Sequence, residues 1–179
     1  MHTWTLSTWT DAAGLAAHVN PRAVPVQARG LRPDQWLARL RADGELGEAV
    51  MFLAHAMPRY ECIVWAVRCL TEEGLVDRAD PGIVAALRWV DDPCDRLRRE
   101  ANDHAETADE DAPSTTLCQA VFLSGGSLSG EDLPPVRPPT DTCAKLAAAA
   151  VLDAAYAGSD PVPVLERCLA IGEDMLAGK

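Results

Sequence analysis

One run of apolar residues at helical spacing most strongly limits what this chain can fold into. The apolar positions recur at intervals of three and four residues, the spacing of one helix face: they are Leu46, Ala49, Val50, Leu53, Ala54 and Met57. Pro58 follows, and proline is well tolerated in the first turn of a helix because the N–H that it lacks has no partner there. The sequence therefore predicts two consecutive helices that meet at Pro58, the second over roughly 58 to 73.

Similar signals recur in other segments and predict an all-α fold. Asp80-Pro81 and Asp160-Pro161 each pair an N-cap carboxylate with a first-turn proline. We predict further helices near 11–19, from Asp34, from Asp92 towards His104, from Pro113 and from Cys143. Alternating valine and isoleucine runs with hairpin turns are absent. We expect residues 1–179 to form a single compact domain of about seven or eight helices, with an N-terminal arm over 1–30 and a Gly/Pro-rich loop over 124–139.

Composition limits the partners and the compartment. The protein has 179 residues and a net charge of −11, and a nucleic acid or an anionic membrane needs Lys and Arg to displace its counterions. A protein partner of basic or neutral character fits better. No apolar run is long enough to span a bilayer, and the opening MHTWTLSTWTDAAG lacks the basic start and apolar stretch of a signal peptide. We therefore expect the protein in the cytoplasm.

The stretch HAMPRYECIVWAVRC allows three interpretations: a metal site, a reactive thiol or plain core. His55 is separated from Cys62 and Cys69 by the helix start at Pro58, and the two cysteines lie two turns apart, about 10 Å along one helix face, too far to share a zinc ion. Burial in so apolar a helix raises a thiol pKa instead of lowering it. We expect Cys62, Trp65 and Cys69 in the core, with no metal and no cofactor.

No catalytic set emerges elsewhere. The six cysteines fit free thiols that act as small apolar side chains. Cys94 has the best local field for a nucleophile, next to a helix start, but Asp92 and Asp95 flank it. The segment SGGSLSG lacks the Lys-Ser/Thr ending of a phosphate-binding loop and is followed by Glu131 and Asp132, so it is better explained as a helix C-cap that leads into a structured loop.

Charge is distributed unevenly over the sequence. Eight acidic residues and no Lys or Arg lie between Glu100 and Leu133, whereas residues 21–41 contain five arginines and one Asp. A charged stretch is usually a solvated face. An acidic stretch near a glycine-rich loop is also a plausible docking surface for a basic partner. The candidate acidic patch consists of Asp103, Glu106, Asp109, Glu110 and Asp111.

Three segments resemble an uncharacterised bacterial family of about this length. They are FLAHAMPRYECIVWAVRCL, LRWVDDPCDRLRREA and FLSGGSLSGEDLPPVRPP. The family shows a Leu-Pro-Arg/Lys-x-Glu-x-x-x-Trp-Ala motif, a Trp-Val-x-x-Pro segment and a Ser-Gly-Gly-Ser-Leu loop. This sequence departs from the first motif at Met57 and at Cys62-Ile63-Val64, and the resemblance covers about residues 45 to 175. We take as candidate binding residues Arg59, Glu61, Trp65, Ser124, Gly125, Gly126 and Ser127. Of these, Arg59 and Glu61 are expected to make polar contacts at the bend near Pro58.

The resemblance implies no known activity, but members of this family are often encoded close to type VI secretion genes. The first hypothesis is therefore a non-enzymatic helical interaction protein, an adaptor or chaperone-like accessory that binds a secretion effector or component. The second is a small-molecule-binding enzyme or sensor with a pocket near Pro58 that uses Arg59, Glu61 and His55. The third is an immunity-type inhibitor that neutralises a basic toxin through the acidic patch. The sequence leaves the oligomeric state open.

Overall fold

In the computed structural model, which describes residues 4–130 and 132–179, the protein forms nine α-helices and one short 3-10 turn, with no strand among those residues. The helices are α1 (Ala12–Val19), α2 (Pro33–Ala42), α3 (Leu46–Ala56), α4 (Arg59–Glu72), α5 (Pro81–Asp91), α6 (Asp95–Ala105), α7 (Pro113–Phe122), α8 (Thr142–Tyr156) and α9 (Pro161–Leu176); the turn is Val26–Ala28. The predicted all-α class is confirmed. The described residues form nine helices, against the seven or eight expected, and each of the helix segments that the sequence indicates is a separate element.

Helices α4 and α8 form the centre of the molecule. Helix α8 packs against α3, α4, α7 and α9, and α4 also contacts α5 and α9. The buried face of α8 is mostly alanine, with Ala147, Ala148, Ala150, Ala154 and Ala155 almost wholly buried. Small side chains let helix axes approach closely, so a single helix can pack against several neighbouring helices. Helices α1 to α3 lie towards one side of this pair, and α5 to α7 towards the other.

The apolar stretch after Pro58 is core, as predicted. Cys62, Trp65 and Cys69 have no exposed surface. The indole Nε1–H of Trp65 donates a hydrogen bond to the carbonyl oxygen of Cys168 at 2.9 Å, which satisfies the polar atom of the buried ring and joins α4 to α9. Pro58 is the N-cap of α4 and lies between the end of α3 at Ala56 and the start of α4.

Helices α3 and α9 approach closely at a glycine. A Cβ atom at Gly172 would lie 2.4 Å from Cδ2 of Leu53 and 3.0 Å from Cε of Met57. A larger side chain at this crossing would require the side chains of Leu53 and Met57 to shift, and core packing leaves little free space for that. The glycine therefore allows α9 to lie close across the apolar face of α3 that the sequence pattern identifies.

The N-terminal segment packs against the end of α9. The backbone N–H groups of Thr5 and Leu6 both donate to the carbonyl oxygen of Leu176, at 2.7 and 3.1 Å, and Trp4 is buried. Residues 1–30 thus include helix α1 and the 3-10 turn, and the part from residue 4 lies against the helical core; residues 1–3 of the predicted arm fall outside the described part of the protein.

The long loop after α7 and the cap of α5 lie where the sequence predicts them. The Gly/Pro-rich loop lies between the end of α7 at Phe122 and the start of α8 at Thr142, and Glu131 within it is outside the described residues. Asp80 caps α5 as expected, accepting hydrogen bonds from the N–H groups of Gly82 and Ile83. Within residues 4–130 and 132–179, no helix combines the length and the apolar character that a membrane crossing requires.

Candidate functional site

The three sequence segments singled out above meet at one surface cleft. This cleft, which we call the motif cleft, has a volume of about 430 Å³. Its lining residues are Arg59, Tyr60, Trp89, Pro93, Cys94, Asp95, Arg98, Ser124, Gly125 and Gly126. They come from the start of α4, the turn between α5 and α6, and the loop after α7. Each segment is remote from the others in sequence, so only the packing of the helices brings them together.

Arg59 connects the first segment to the third. Its Nη1–H group donates to the carbonyl oxygen of Ser124 at 3.0 Å, across 65 residues of sequence. That carbonyl lies just beyond the C-terminal end of α7, where a cation is favourable. The hydroxyl of Ser124 donates back to the carbonyl oxygen of Val121 at 2.7 Å, so the side chain of Ser124 is occupied in holding the helix end. The predicted polar contact of Arg59 at the bend is confirmed.

Two aromatic rings form the apolar wall of the motif cleft. The centroids of Tyr60 and Trp89 lie 5.8 Å apart with the rings tilted, and the hydroxyl of Tyr60 donates to the carbonyl oxygen of Val90 at 3.0 Å. Trp89 is 6% exposed and Tyr60 is 40% exposed. Tyrosine and tryptophan offer a large contact area at a low entropic cost, which is why they are common where proteins bind one another. The rigid ring pair is therefore suited to pack against an apolar group.

Arg98 holds in place the loop of residues 124–130, which we call the glycine loop. The sequence analysis did not identify this residue. Its guanidinium is 4.7 Å from the ring centroid of Phe122, and its Nη1–H and Nη2–H groups donate to the carbonyl oxygens of Phe122 and Ser127 at 2.6 and 2.8 Å. The residue is 3% exposed. The run RLRREA contains three arginines, and nothing in the sequence distinguishes the buried one from the two that are more exposed.

Gly126 is fitted tightly against that guanidinium. It has φ of +66°, in the left-handed region that residues other than glycine adopt only at a cost. A Cβ atom there would also lie 2.8 Å from Nε and Nη2 of Arg98. The glycine is thus required twice, by the backbone conformation and by the close approach of Arg98. Gly125 shows neither constraint.

Ser127 and Ser129 hold the following part of the loop in a fixed shape. Their hydroxyl oxygens lie 2.8 Å apart, and the hydroxyl of Ser129 donates to the carbonyl oxygen of Pro134 at 2.6 Å. The N–H group of Val136 donates to the hydroxyl oxygen of Ser127 at 3.2 Å. SGGSLSG is therefore a structured loop as predicted, whereas the C-cap of α7 is Leu123, the residue just before it.

The acidic group in the cleft wall is neutralised by two arginines. Asp95 accepts hydrogen bonds from Arg99 and Arg98 at 2.6 to 2.9 Å, and these bonds lower the pKa of its carboxyl group. Cys94, the other chemically reactive lining residue, is half-buried, and its thiol lies 3.8 Å from a carboxylate oxygen of Asp92.

Two of the candidate binding residues lie away from the cleft lining. Trp65 is wholly buried, so it supports the core and has no surface with which to touch a ligand. Glu61 is half-buried, but it does not line the motif cleft and it makes no hydrogen bond or ion pair with any residue that the structure describes. The expected polar contact of Glu61 at the bend is therefore not formed. The sequence placed both residues on α4, but it did not show which face of that helix each side chain would occupy.

His55 also lies away from the motif cleft. Its Nδ1 is 2.7 Å from the carbonyl oxygen of Met51, whereas Nε2 is buried with no hydrogen-bond partner among the described residues. This pattern assigns the proton of the neutral ring to Nδ1. Burial lowers the pKa of His55. Of the trio Arg59, Glu61 and His55 that would make a pocket near Pro58, the cleft contains Arg59 alone.

The acidic patch is exposed and begins on the helix, α6, whose first turns hold the glycine loop. Asp103, Glu106, Asp109, Glu110 and Asp111 are all exposed, and none forms an ion pair with a described residue. They occupy the C-terminal end of α6 and the turn after it, whereas Asp95, Arg98 and Arg99 at the start of α6 contact the loop or one another. Asp103 lies within α6, one helical turn or about 6 Å along the axis after Arg99, which bonds the loop. The use of the patch and the loop as one docking surface stays a prediction.

A larger, more apolar groove lies on another side of the molecule. It has a volume of about 640 Å³ and lies between α1, α2 and α3. Its walls include Trp36, Met51, Phe52 and Leu152, and it contains none of the residues that line the motif cleft. Among the described residues there is no group of three or more His, Cys, Asp or Glu side chains placed to hold a metal ion.

A family model matches residues 36–176, from α2 to the end of α9. The chain belongs to DUF6931, a family of unknown function. The DUF6931 match covers every residue that lines the motif cleft, whereas the part of the apolar groove formed by residues 16–25 lies outside it. No curated protein and no solved structure matches this sequence.

Proposed function

We propose that this protein is a non-enzymatic interaction protein that binds a protein partner in the motif cleft. The observation that supports this most is the meeting of three remote segments, around Arg59, Trp89 and Ser124, at one open cleft with an aromatic wall. The lining side chains either hold the loop or form an apolar surface. They do not form the nucleophile and base pair that covalent catalysis needs. A rigid cleft of this kind is suited to recognition.

The partner in this proposal is an effector or component of a bacterial type VI secretion system, and the protein acts in the cytoplasm as an adaptor or chaperone-like accessory. Support for the cellular setting comes from the family resemblance of the three segments. Support for a protein partner comes from the size of the cleft wall and from the rigid loop, since a pre-formed site binds without a large cost of ordering.

Affinity capture from the native bacterium tests this proposal with two matched tyrosine variants. Tyr60 is 40% exposed in the motif cleft, and Tyr156 is 56% exposed at the far end of α8. Tyr60→Ala is expected to reduce recovery of a secretion component about tenfold, the factor that corresponds to about 1.4 kcal/mol of binding free energy. Tyr156→Ala should recover it as the unaltered protein does.

The capture experiment has clear contrary results. Equal recovery with Tyr60→Ala and with the unaltered protein would place the partner elsewhere on the surface. Capture of no secretion component, together with unchanged secretion after deletion of the gene, would remove the proposed role. Thermal unfolding of both variants serves as the control that each is folded.

A second candidate, an immunity-type inhibitor of a basic toxin, is favoured by the acidic patch. Its five carboxylates are exposed and unpaired with Lys or Arg among the described residues, so they are free to meet a basic surface. This role predicts a complex whose association slows strongly as salt is raised. Exchange of Asp109 and Glu110 for Asn and Gln would weaken that complex and leave capture through the motif cleft unchanged.

A further inference from the structure

The motif cleft contains hydrogen-bond donors that meet no acceptor in the described part of the protein. Arg59 uses one N–H group of its guanidinium, at Nη1, for the carbonyl oxygen of Ser124. A guanidinium carries five N–H groups in a planar fork, and the others of Arg59 meet no acceptor among the described residues. The side chain is half-buried at the cleft wall. It is therefore anchored at one corner while the remainder of the fork is available.

The glycine loop adds unpaired backbone donors beside Arg59. The N–H groups of Gly125, Gly126 and Ser127 make no hydrogen bond to any residue that the structure describes, although the preceding N–H of Ser124 is bonded to Val121. Gly126 has φ of +66°, whereas Gly125 is outside the positive range. Successive N–H groups around such a left-handed residue form concave anion-binding sites in many proteins. Gly125 and Gly126 both line the cleft.

The local charge also favours an anion, although the whole protein has a net charge of −11. Among the described residues that line the cleft, one is acidic, Asp95. Its carboxylate is bonded to both Arg98 and Arg99. Among the lining residues, Arg59 and Arg98 carry two positive charges against this one carboxylate, which leaves a positive remainder. Helix α4 begins at the cleft without a side-chain cap on its first N–H groups. The positive end of its dipole adds to this field, and the carboxylate of Glu61 in its first turn acts against it.

We propose that the motif cleft recognises a carboxylate of its partner, held by Arg59 and the loop amides, with an adjacent apolar side chain of the partner packed on Tyr60 and Trp89. This inference rests on the proposed function, because it specifies the chemistry of the segment that docks in the same cleft. A carboxylate matches the planar fork of arginine in a bidentate manner. The ligand class is thus a short acidic and apolar peptide segment, with the carboxylate supplied by an Asp or Glu side chain or by the C-terminus of the partner polypeptide.

Titration of the isotope-labelled, full-length protein with small peptides, followed by amide NMR shifts, tests this inference. The probes are acetyl-Asp-Leu-amide for a side-chain carboxylate, acetyl-Asn-Leu with a free C-terminus, and acetyl-Asn-Leu-amide as the neutral control. We expect saturable shifts of the Gly125 and Gly126 amides with at least one carboxylate probe and not with the neutral one. The probe that saturates first identifies the source of the carboxylate. Inorganic phosphate is the competing anion.

Arginine variants separate a specific site from net charge. Arg59→Gln is expected to weaken carboxylate binding at least about tenfold, since a hydrogen bond to a charged group is lost. Arg22→Gln removes the same charge from an exposed position outside the cleft and should leave binding unchanged. If Arg59→Gln does not fold, Arg59→Lys keeps the charge but presents it on one ammonium nitrogen, and is expected to bind more weakly than the unaltered protein because the planar fork is absent.

Several results would overturn the carboxylate site. They are equal shifts with the neutral peptide, no saturation with either carboxylate, saturation by phosphate alone, or equal losses in Arg59→Gln and Arg22→Gln. Partner capture that depends on Tyr60 without carboxylate binding would leave the proposed function standing and this inference wrong. Carboxylate binding without any captured partner would support this inference and contradict the proposed function.

Discussion

His55 is buried at the end of α3, and one of its ring nitrogens, Nε2, has no hydrogen-bond partner among the described residues. Burial lowers its pKa, and the charges of His18 and Lys145 act in the same direction, against Met51 and Asp141. A protonated His55 would place an N–H at Nε2 where no described residue accepts it. The folded state therefore favours the neutral ring and binds the proton less readily than the unfolded state, whose histidine has the ordinary pKa of about 6.5.

From this difference we predict that the free energy of unfolding falls as the solution is acidified below about pH 6.5. The unfolded state then binds more protons than the folded state, and one such proton lowers stability by up to about 1.4 kcal/mol per pH unit. Above the unfolded pKa the contribution is fully present. Chemical denaturation from neutral to mildly acidic pH measures it. His55→Gln should flatten the dependence and His104→Gln should retain it; equal slopes for His55→Gln and the unaltered protein would contradict the prediction.

At the scale of elements, the loop after α7 is positioned by the first turns of α6. Arg98 bonds Phe122 and Ser127, and Arg99 bonds Ser127 and Ser129 through its Nη2–H. These contacts join two elements that also pack along their lengths. The shape of the motif cleft thus depends on α6 holding the glycine loop.

The loop gives a prediction with a neighbouring control. Gly126→Ala should lower the free energy of unfolding by about 1–3 kcal/mol for the strained backbone, with a further loss from the clash with Arg98. Gly125→Ala meets nothing within 4 Å and has no positive φ, so its effect should stay within about 0.5 kcal/mol. Urea unfolding of the three proteins compares them. Similar losses for the two variants would show that Arg98 does not hold the loop as described.

At the scale of the whole molecule, the cysteines report how tightly the helices pack. Cys62, Cys69, Cys118, Cys143 and Cys168 are buried in four different helices, and Cys94 at the motif cleft is half-buried. Burial raises the pKa of Cys118 and of Cys143 to about 12 and places those of Cys62 and Cys69 well above the ordinary value. Since the thiolate is the reactive form, buried thiols react slowly for two reasons, low access and a small thiolate fraction.

We predict that a bulky thiol reagent labels one cysteine rapidly in the folded protein and the other five only after unfolding. Cys94→Ser should abolish the rapid phase. The number of thiols labelled after unfolding should then fall by one, from six to five. Absorbance during labelling, with mass spectrometry of the product, gives both counts. Rapid labelling of Cys62 or Cys69 would contradict the burial of α4 among its neighbouring helices.

Local structure and much of the core follow from the sequence alone. Helical spacing around Leu53, the proline starts at Pro58 and Pro81, and the apolar run from Cys62 to Cys69 act within one or two turns of helix, so neighbouring residues suffice to specify them. The three segments that resemble the family are likewise visible in the sequence alone. These features required no knowledge of how the helices pack.

Which polar residues meet is settled by the packing of the helices. Arg59 reaches Ser124 across 65 residues, Arg98 is buried against Phe122 while Arg99 beside it stays partly exposed, and His55 and Glu61 lie away from the cleft that their sequence positions suggested. Helical periodicity states which face of each helix is apolar, but it does not state which helix covers that face or at what angle. Contacts between distant side chains depend on those angles, and the motif cleft therefore appears only when all the helices are in place.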